Sequence, residues 1–107
     1  MIALDIDGTL LHYDGWKGPG VFGEPLPGAV EFVQALASRQ AHFCYFTSRD
    51  DKPEALAYLT SKGFPTAEII GDKDKRIHVL FDDRAYRFDG KFPDPKELTH
   101  FKPWWKA

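Results

Sequence analysis

Two carboxylates stand two residues apart at the end of an apolar run near the start of the chain. Ile2 to Leu4 predicts a short buried strand, and Asp5 and Asp7 follow it. Residues two apart on a strand project to the same side, so both acids would face one point. Gly8 lacks a Cβ and lets the backbone turn sharply there. Carboxylates this close repel each other unless a proton or cation lies between them, and Mg²⁺, a hard ion that prefers oxygen ligands, meets that need.

Other predicted strands also end in groups that could do chemistry. The run His42 to Phe46 is followed by Thr47, Ser48 and Arg49, and Ile77 to Phe81 is followed by Asp82 and Asp83. In an open parallel α/β sheet, ligands bind beyond the carboxyl ends of the strands. These polar residues therefore predict one shared site. A further short strand, Ala67 to Ile70, precedes a charged loop that carries Lys73 and Lys75.

The elements between these strands read as helices. Apolar residues at helical spacing predict helices at about residues 28–39 and 53–62, which gives an alternating α/β order. Asp89-Gly90 predicts a small hairpin, and Pro95 begins a short helix to about Phe101. If the sheet has only four strands, this hairpin and the following tail must cover its edge. Trp104 and Trp105 could cover the sheet edge or contact a partner chain, and packing on the core is the preferred expectation.

Composition bounds the class of protein. The 107 residues predict a single domain, residues 1–107, and the net charge of −2 offers no global basic field for nucleic acid. The single Cys44 excludes an intramolecular disulfide and a multi-cysteine zinc site, and the chain shows no signal peptide. No apolar stretch is long enough to span a membrane. We therefore expect a soluble cytoplasmic protein with no membrane partner.

The segment from His12 to Gly28 predicts a long loop, because it is interrupted by five glycines and three prolines. Loops of this length inside a small domain are usually either functional or disordered. Trp16 either folds over the site as a lid or anchors the loop to the core, and the sequence leaves both readings open.

The motif Asp-x-Asp-Gly-Thr after an N-terminal apolar strand resembles the first motif of the haloacid dehalogenase (HAD) superfamily of phosphohydrolases. A strand ending in Thr47, then a lysine, then a strand ending in Asp-Asp-Arg resembles the later motifs in their order. The last version is similar to that of polynucleotide 3′-phosphatases and small phage-type members. The resemblance implies a three-layer Rossmann-like fold with a small, mostly parallel sheet. Neither interval between motifs has room for a cap domain, so the chain resembles a capless member.

The resemblance also implies residue roles. Asp5 would be the nucleophile that takes the phosphoryl group, Asp7 the general acid/base, and Thr47 a phosphate-holding hydroxyl. Lys73, preferred over Lys75, would steady the nucleophile and the phosphate. The implied substrate-binding residues are Gly8, Ser48 and Arg49, and the implied Mg²⁺ ligands are Asp5, Asp7, Asp82 and Asp83. For Arg49 an ion pair with Asp50 or Asp51 is the alternative reading.

These features favour a Mg²⁺-dependent phosphomonoester hydrolase with an aspartyl-phosphate intermediate. Its substrate would be a small phosphorylated molecule or a nucleic-acid end, and homo-oligomerisation is left open. The alternative is a catalytically inactive HAD-like module that binds metal or phosphate as an interaction protein. A receiver domain is disfavoured because its phosphorylated Asp ends an internal strand, whereas the Asp-x-Asp of this chain begins at residue 5. A cysteine phosphatase is excluded because the Arg required six residues after the Cys is Asp50 here.

Overall fold

The computed structural model describes residues 1–106. Four strands and three helices form in the order β1 (Ile2–Asp5), α1 (Ala29–Ser38), β2 (Phe43–Phe46), α2 (Lys52–Ser61), β3 (Ile69–Ile70), β4 (Val79–Phe81) and α3 (Pro95–Thr99). The strands make one parallel sheet in the order β3-β2-β1-β4. The chain is therefore a small α/β protein with a Rossmann-like sheet. Because β1 has β2 on one side and β4 on the other, the strand order reverses beside β1.

The centre of the sheet is apolar on both faces. Ala3 of β1 pairs in register with Cys44 of β2, and Leu4 pairs with Tyr45; all four side chains are buried. Interior parallel strands are covered on both faces, so they read as continuous apolar runs. Cys44 is thus a small buried residue, as the sequence predicted, and burial raises the pKa of its thiol.

The first two helices pack on this sheet through few residues. Ala29 and Val33 are the buried positions of α1, and Ala55 and Leu59 are those of α2. Gly28, with a φ of 83°, turns the chain into α1, and a left-handed backbone of this kind favours glycine. Both helices match the predicted ranges to within one or two residues.

The long loop is tied down at both ends by backbone hydrogen bonds. Leu26 N–H donates to the carbonyl of Leu10, and His12 N–H donates to the carbonyl of Glu24, at 2.9 and 2.8 Å. Leu10 and Leu11 are themselves buried in the core. The loop between residues 12 and 24 is therefore held next to the turn that follows β1.

The last part of the described chain differs from expectation. No strand forms at residues 86–92, so the predicted hairpin is wrong, although Gly90 makes a turn with a φ of 99°. β4 remains an edge strand, and Val79, Leu80 and Phe81 are each 44–45 % exposed, so the predicted cover of this edge is wrong as well. A groove of about 1070 Å³ runs along β4 towards Tyr86 and Trp104.

The expected three-layer arrangement is met only in part. β3 and β4 are joined by a loop in which the structure has no helix, and α3 contains no buried residue. Thus α3 does not serve as a helical layer over the core. Among residues 1–106, no helix is long and apolar enough to cross a membrane.

Candidate functional site

Three carboxylates converge where β1 and β4 end. Asp5 is the last residue of β1, and Asp82 and Asp83 follow β4, which pairs with β1 in parallel register. Each of the three acids offers an oxygen, and these oxygens all lie within 4.8 Å of one another. The point at which the strand order reverses is where ligands bind in open α/β sheets. This carboxylate cluster, Asp5, Asp82 and Asp83, lies at that point.

The electrostatics of the cluster favour an added positive charge. Burial raises the pKa of Asp5 to about 8, and a hydrogen bond to Asp83 and the negative charges of Asp82 and Asp83 act in the same direction. Partial burial opposes ionisation of Asp83, but hydrogen bonds from Asp5, Trp105 and Thr9 outweigh it and lower the pKa of Asp83. The pKa of Asp5 is thus raised and that of Asp83 lowered, so Asp5 is the one of the two acids that keeps its proton to higher pH. The three carboxylates could together hold a divalent cation that prefers oxygen ligands.

Thr9 links Asp5 and Asp83 by hydrogen bonds. Its Oγ1 lies 3.1 Å from Asp5 Oδ2 and 3.2 Å from Asp83 Oδ1, and it accepts the backbone N–H of Asp83 at 3.0 Å. A hydroxyl has a single proton, so it can donate to only one of the two carboxylates at a time. From the sequence, Thr9 was expected only as a member of the first motif, with no role of its own.

A cleft of about 530 Å³ opens next to the cluster. Asp5 and Asp82 reach into it from the sheet, and Arg84 and Trp16 line its rim. Thr47 and Ser48 are also on its wall, with Thr47 buried and Ser48 exposed. The remaining lining residues are Asp7, Tyr13, Phe46, Arg49 and Asp50. The structure therefore brings both acids of the first motif and both hydroxyls after β2 into one cleft.

Asp7 is held by a buried arginine and not by the carboxylate cluster. Arg49 Nε donates to Asp7 Oδ2 at 2.7 Å, and Arg49 Nη2 donates to Asp7 Oδ1 at 3.1 Å. Paired hydrogen bonds of this kind fix the plane of a carboxylate. The side chain of Asp7 is therefore outside the group of carboxylates that could share a cation, and its predicted part as a ligand stays a prediction.

The other atoms of Arg49 are also engaged. Nη1 donates to Asp51 at 3.1 Å, Nη2 donates to the carbonyl of Val21 at 2.7 Å, and the guanidinium lies 4.2 and 4.9 Å from the ring centroids of Phe22 and Trp16. The side chain is buried, and its pKa is raised because these acids outweigh desolvation. The ion pair with Asp51 was the alternative interpretation of Arg49, and the structure has that pair. Its predicted substrate contact stays a prediction.

These contacts attach the loop of residues 12–28 to the segment that follows β2. The carbonyl of Val21 and the ring of Trp16 both contact Arg49, and Gly20 N–H donates to Asp51 Oδ2 at 2.7 Å. Trp16 thus contributes to anchoring the loop while also lining the cleft.

Gly8 and Lys73 lie away from the cleft wall. Gly8 uses its N–H for the carbonyl of Leu11 and its carbonyl for Trp104, so both backbone groups are engaged inside the protein. Lys73 is exposed on the β3–β4 loop and lines the groove along β4 instead. Lys75 is exposed and lines neither space. The roles predicted for Gly8 and Lys73 stay predictions.

Three further residues that the sequence did not assign to the site lie in it or near it. Arg84 lines the cleft with an exposed side chain, and it follows the Asp-Asp pair directly in the sequence, which is a signal that could have found it. Lys52 Nζ donates to the carbonyl of Arg49 at 2.5 Å, beside the loop after β2. Trp105 donates to Asp83 from 22 residues away, and no pattern in the sequence points to that contact.

Comparisons with known proteins support the architecture. No protein-family model and no curated protein matches the chain. A solved structure of a conserved protein from Bacteroides thetaiotaomicron is similar, with a TM-score of 0.60, 21 % sequence identity, and coverage of 96 % of this chain and 92 % of that one. Likeness at this level of identity shows the fold alone. The chain therefore shares a small α/β fold with that protein over nearly its whole length.

Proposed function

We propose that the chain is a HAD-like, capless phosphomonoester hydrolase that depends on Mg²⁺. The observation that carries this proposal is the convergence of Asp5, Asp82 and Asp83 at the carboxyl ends of β1 and β4, beside a cleft that also holds Asp7 and Thr47. A nucleophile, a second acid and a cluster fit for a hard cation then face the same space. The order of the motifs along the chain supports the same reading.

Asp5, Asp82 and Asp83 would hold the cation. When bound, Mg²⁺ would neutralise the acids and polarise the phosphate, which allows a phosphate dianion to approach Asp5. Thr47 and Ser48 would donate to the non-bridging oxygens of the phosphate. Arg84 is the cation on the cleft wall whose side chain is exposed, and we assign to it the electrostatic role on the substrate that the buried Arg49 is not free to play.

The reaction uses Asp5 and Asp7 in two steps. A carboxylate oxygen of Asp5 attacks phosphorus, the bond to the ester oxygen breaks, and Asp7 gives that oxygen a proton. Water then attacks the phosphorus of the aspartyl-phosphate and gives a proton to Asp7, the bond between phosphorus and the Asp5 oxygen breaks, and inorganic phosphate leaves with the Asp5 carboxylate restored. Each oxygen of Asp7 bonded to Arg49 has a second lone pair that can carry this proton. Arg49 is in this view the residue that keeps Asp7 pointed at the leaving group.

The test is hydrolysis of a generic aryl phosphate with Mg²⁺, followed by sugar phosphates, nucleotides and 3′-phosphorylated oligonucleotides. Asp5→Asn should lower the rate by at least about 10³-fold, because it removes the nucleophile. Asp72→Asn, the same change on an exposed loop residue, is the matched control and should leave the rate unchanged. Mass spectrometry of acid-quenched reactions should find the transferred phosphate on Asp5. The hydrolysis rates of Lys52→Met and Lys73→Met are measured in parallel. The variant with the larger loss of rate identifies the lysine that steadies the phosphate.

A second function has one observation in its favour. Both oxygens of Asp7 are engaged by Arg49, an arrangement that also suits a module that binds a cation or phosphate without turnover. Such a module would bind Mg²⁺ by calorimetry but hydrolyse none of the substrates. Equal rates for the wild type and Asp5→Asn would reject the enzymatic proposal.

A further inference from the structure

The carboxylate of Asp83 is held from two sides. The indole Nε1 of Trp105 donates to Oδ2 at 2.6 Å, and Thr9 Oγ1 lies 3.2 Å from Oδ1. The first distance is at the short end for an N–H···O bond, as is usual when the acceptor is ionised. Because Thr9 divides its one proton between Asp83 and Asp5, the indole N–H is the donor that Asp83 does not share with the other acid.

The turn after β1 is shaped to receive this indole. Gly8 has a φ of 89°, and a Cβ built there would lie 2.5 Å from Asp83 Oδ2 and 2.8 Å from Trp105 Nε1. The neighbouring Trp104 donates from its own Nε1 to the carbonyl of Gly8 at 2.7 Å. The ring of Trp105 also meets Tyr13 edge to face, with centroids 5.1 Å apart. The two tryptophans are thus docked on the site and not on the hydrophobic core.

Packing of the core does not account for this docking. The buried apolar residues of the described chain all lie between residues 3 and 64, and Trp104 is 64 % exposed. The sequence prediction that both tryptophans pack on the core is therefore wrong. Their hydrogen bonds go to Asp83 and to the backbone of the first motif instead.

We infer that Trp105 is a positioning residue that sets the affinity of the carboxylate cluster for Mg²⁺ by fixing Asp83. This inference rests on the proposed function, since it takes the cluster as the cation site. Hydrogen-bond partners of metal ligands hold those ligands in a binding orientation, and their loss typically weakens binding by about 10- to 100-fold. Once Mg²⁺ takes the place of the Asp5 proton, the remaining side-chain donors to Asp83 would be the indole of Trp105 and a hydroxyl that also serves Asp5.

The matched pair Trp105→Phe and Trp104→Phe tests this inference. Each removes one indole N–H from adjacent positions, but only the first N–H reaches a carboxylate. Binding of Mg²⁺ is measured by calorimetry on the full chain. Trp105→Phe should raise the dissociation constant about tenfold, and Trp104→Phe should raise it by less than about threefold. At saturating Mg²⁺ the turnover number of Trp105→Phe should return to within about threefold of the wild-type value.

The outcomes separate the two proposals. Unchanged Mg²⁺ affinity in Trp105→Phe, with hydrolysis intact in the wild type, overturns the inference and leaves the function standing. Equal weakening by both substitutions also overturns it, because general docking of the segment would then be responsible. If the wild type binds no Mg²⁺, both proposals fail.

A measurement on the unaltered protein covers the case in which Trp105→Phe fails to fold. The indole N–H resonance of Trp105 should be protected from exchange with solvent and should shift when Mg²⁺ is added. The same resonance should lose its protection in Asp83→Ala. Rapid exchange in the wild type would show that the hydrogen bond to Asp83 is absent in solution and would overturn the inference.

Discussion

Two regions of the chain, residues 1–83 and residues 84–106, contribute to the protein in different ways. Residues 1–83 contain all the buried apolar side chains of the described structure and are net acidic, with thirteen Asp and Glu against eight Lys and Arg. Residues 84–106 contain six Lys and Arg against three Asp and Glu, and none of their side chains is buried. Yet this second region supplies Arg84 and Trp105 to the site. Stability is therefore expected to depend on the first region, whereas the geometry of the site depends on both regions.

The largest effect on stability should come from the buried ion pairs of the first region. Arg49→Met should lower the free energy of unfolding by about 3–5 kcal/mol, because it leaves Asp7 and Asp51 without their shared partner. Urea denaturation measures this change. Arg84→Met is the matched control in the exposed region and should change stability by less than about 0.5 kcal/mol. Similar losses in both variants would remove the contrast between the regions.

A leucine pair tests the same contrast for apolar packing. Leu59 of α2 is fully buried, so Leu59→Ala should cost about 2–5 kcal/mol. Leu98 of α3 is 53 % exposed, so Leu98→Ala should stay within about 0.5 kcal/mol of the wild type. Both are read from thermal or urea unfolding. A large cost at Leu98 would mean that the second region has a core of its own.

A dependence of stability on pH is expected from Asp5, which lies where the two regions meet. The pKa of Asp5 is raised to about 8 in the folded protein, above its value of 3.8 in a model compound, so folding favours the protonated form. The unfolded chain loses this proton first as the pH rises, so stability from Asp5 is present below about pH 4 and is lost towards pH 8. With a chelator present, the melting temperature of Asp5→Asn should therefore rise progressively relative to that of the wild type between pH 5 and pH 8. A constant difference would contradict the raised pKa.

The sequence predicted the first region well because local patterns determine it. β1, β2, α1 and α2 follow from apolar runs and helical spacing, and their observed bounds lie within two residues of those expected. Asp5, Thr47, Asp82 and Asp83 were expected at strand ends, and a parallel sheet necessarily brings such ends to one edge. The small parallel α/β sheet and the proximity of these four side chains were therefore predictable from the sequence pattern.

The second region was predicted poorly because its contacts are distant in sequence and few. The pattern around Asp89-Gly90 suggested a hairpin, but no neighbouring element pairs with it, and Phe92 is 92 % exposed. In the first region, the pairing of Arg49 with Asp7 was missed for the same reason, because it spans 42 residues and only the adjacent acids were expected as partners. Trp105 had no expected link to Asp83. Single hydrogen bonds across such distances leave no periodic signal.

The packing of Trp104 and Trp105 next to Gly8 has a consequence for the order of folding. The hydrogen bond from Trp104 to Gly8 closes a loop of 96 residues, and the contact between Thr9 and Asp83 closes one of 74. Contacts of such long range are slow to form because chain entropy opposes them until the rest has collapsed. In a refolding experiment we therefore expect burial of Tyr45 to precede the environment that Trp105 has in the native state. The hydrophobic core would form first, and the proposed Mg²⁺ site would be completed last.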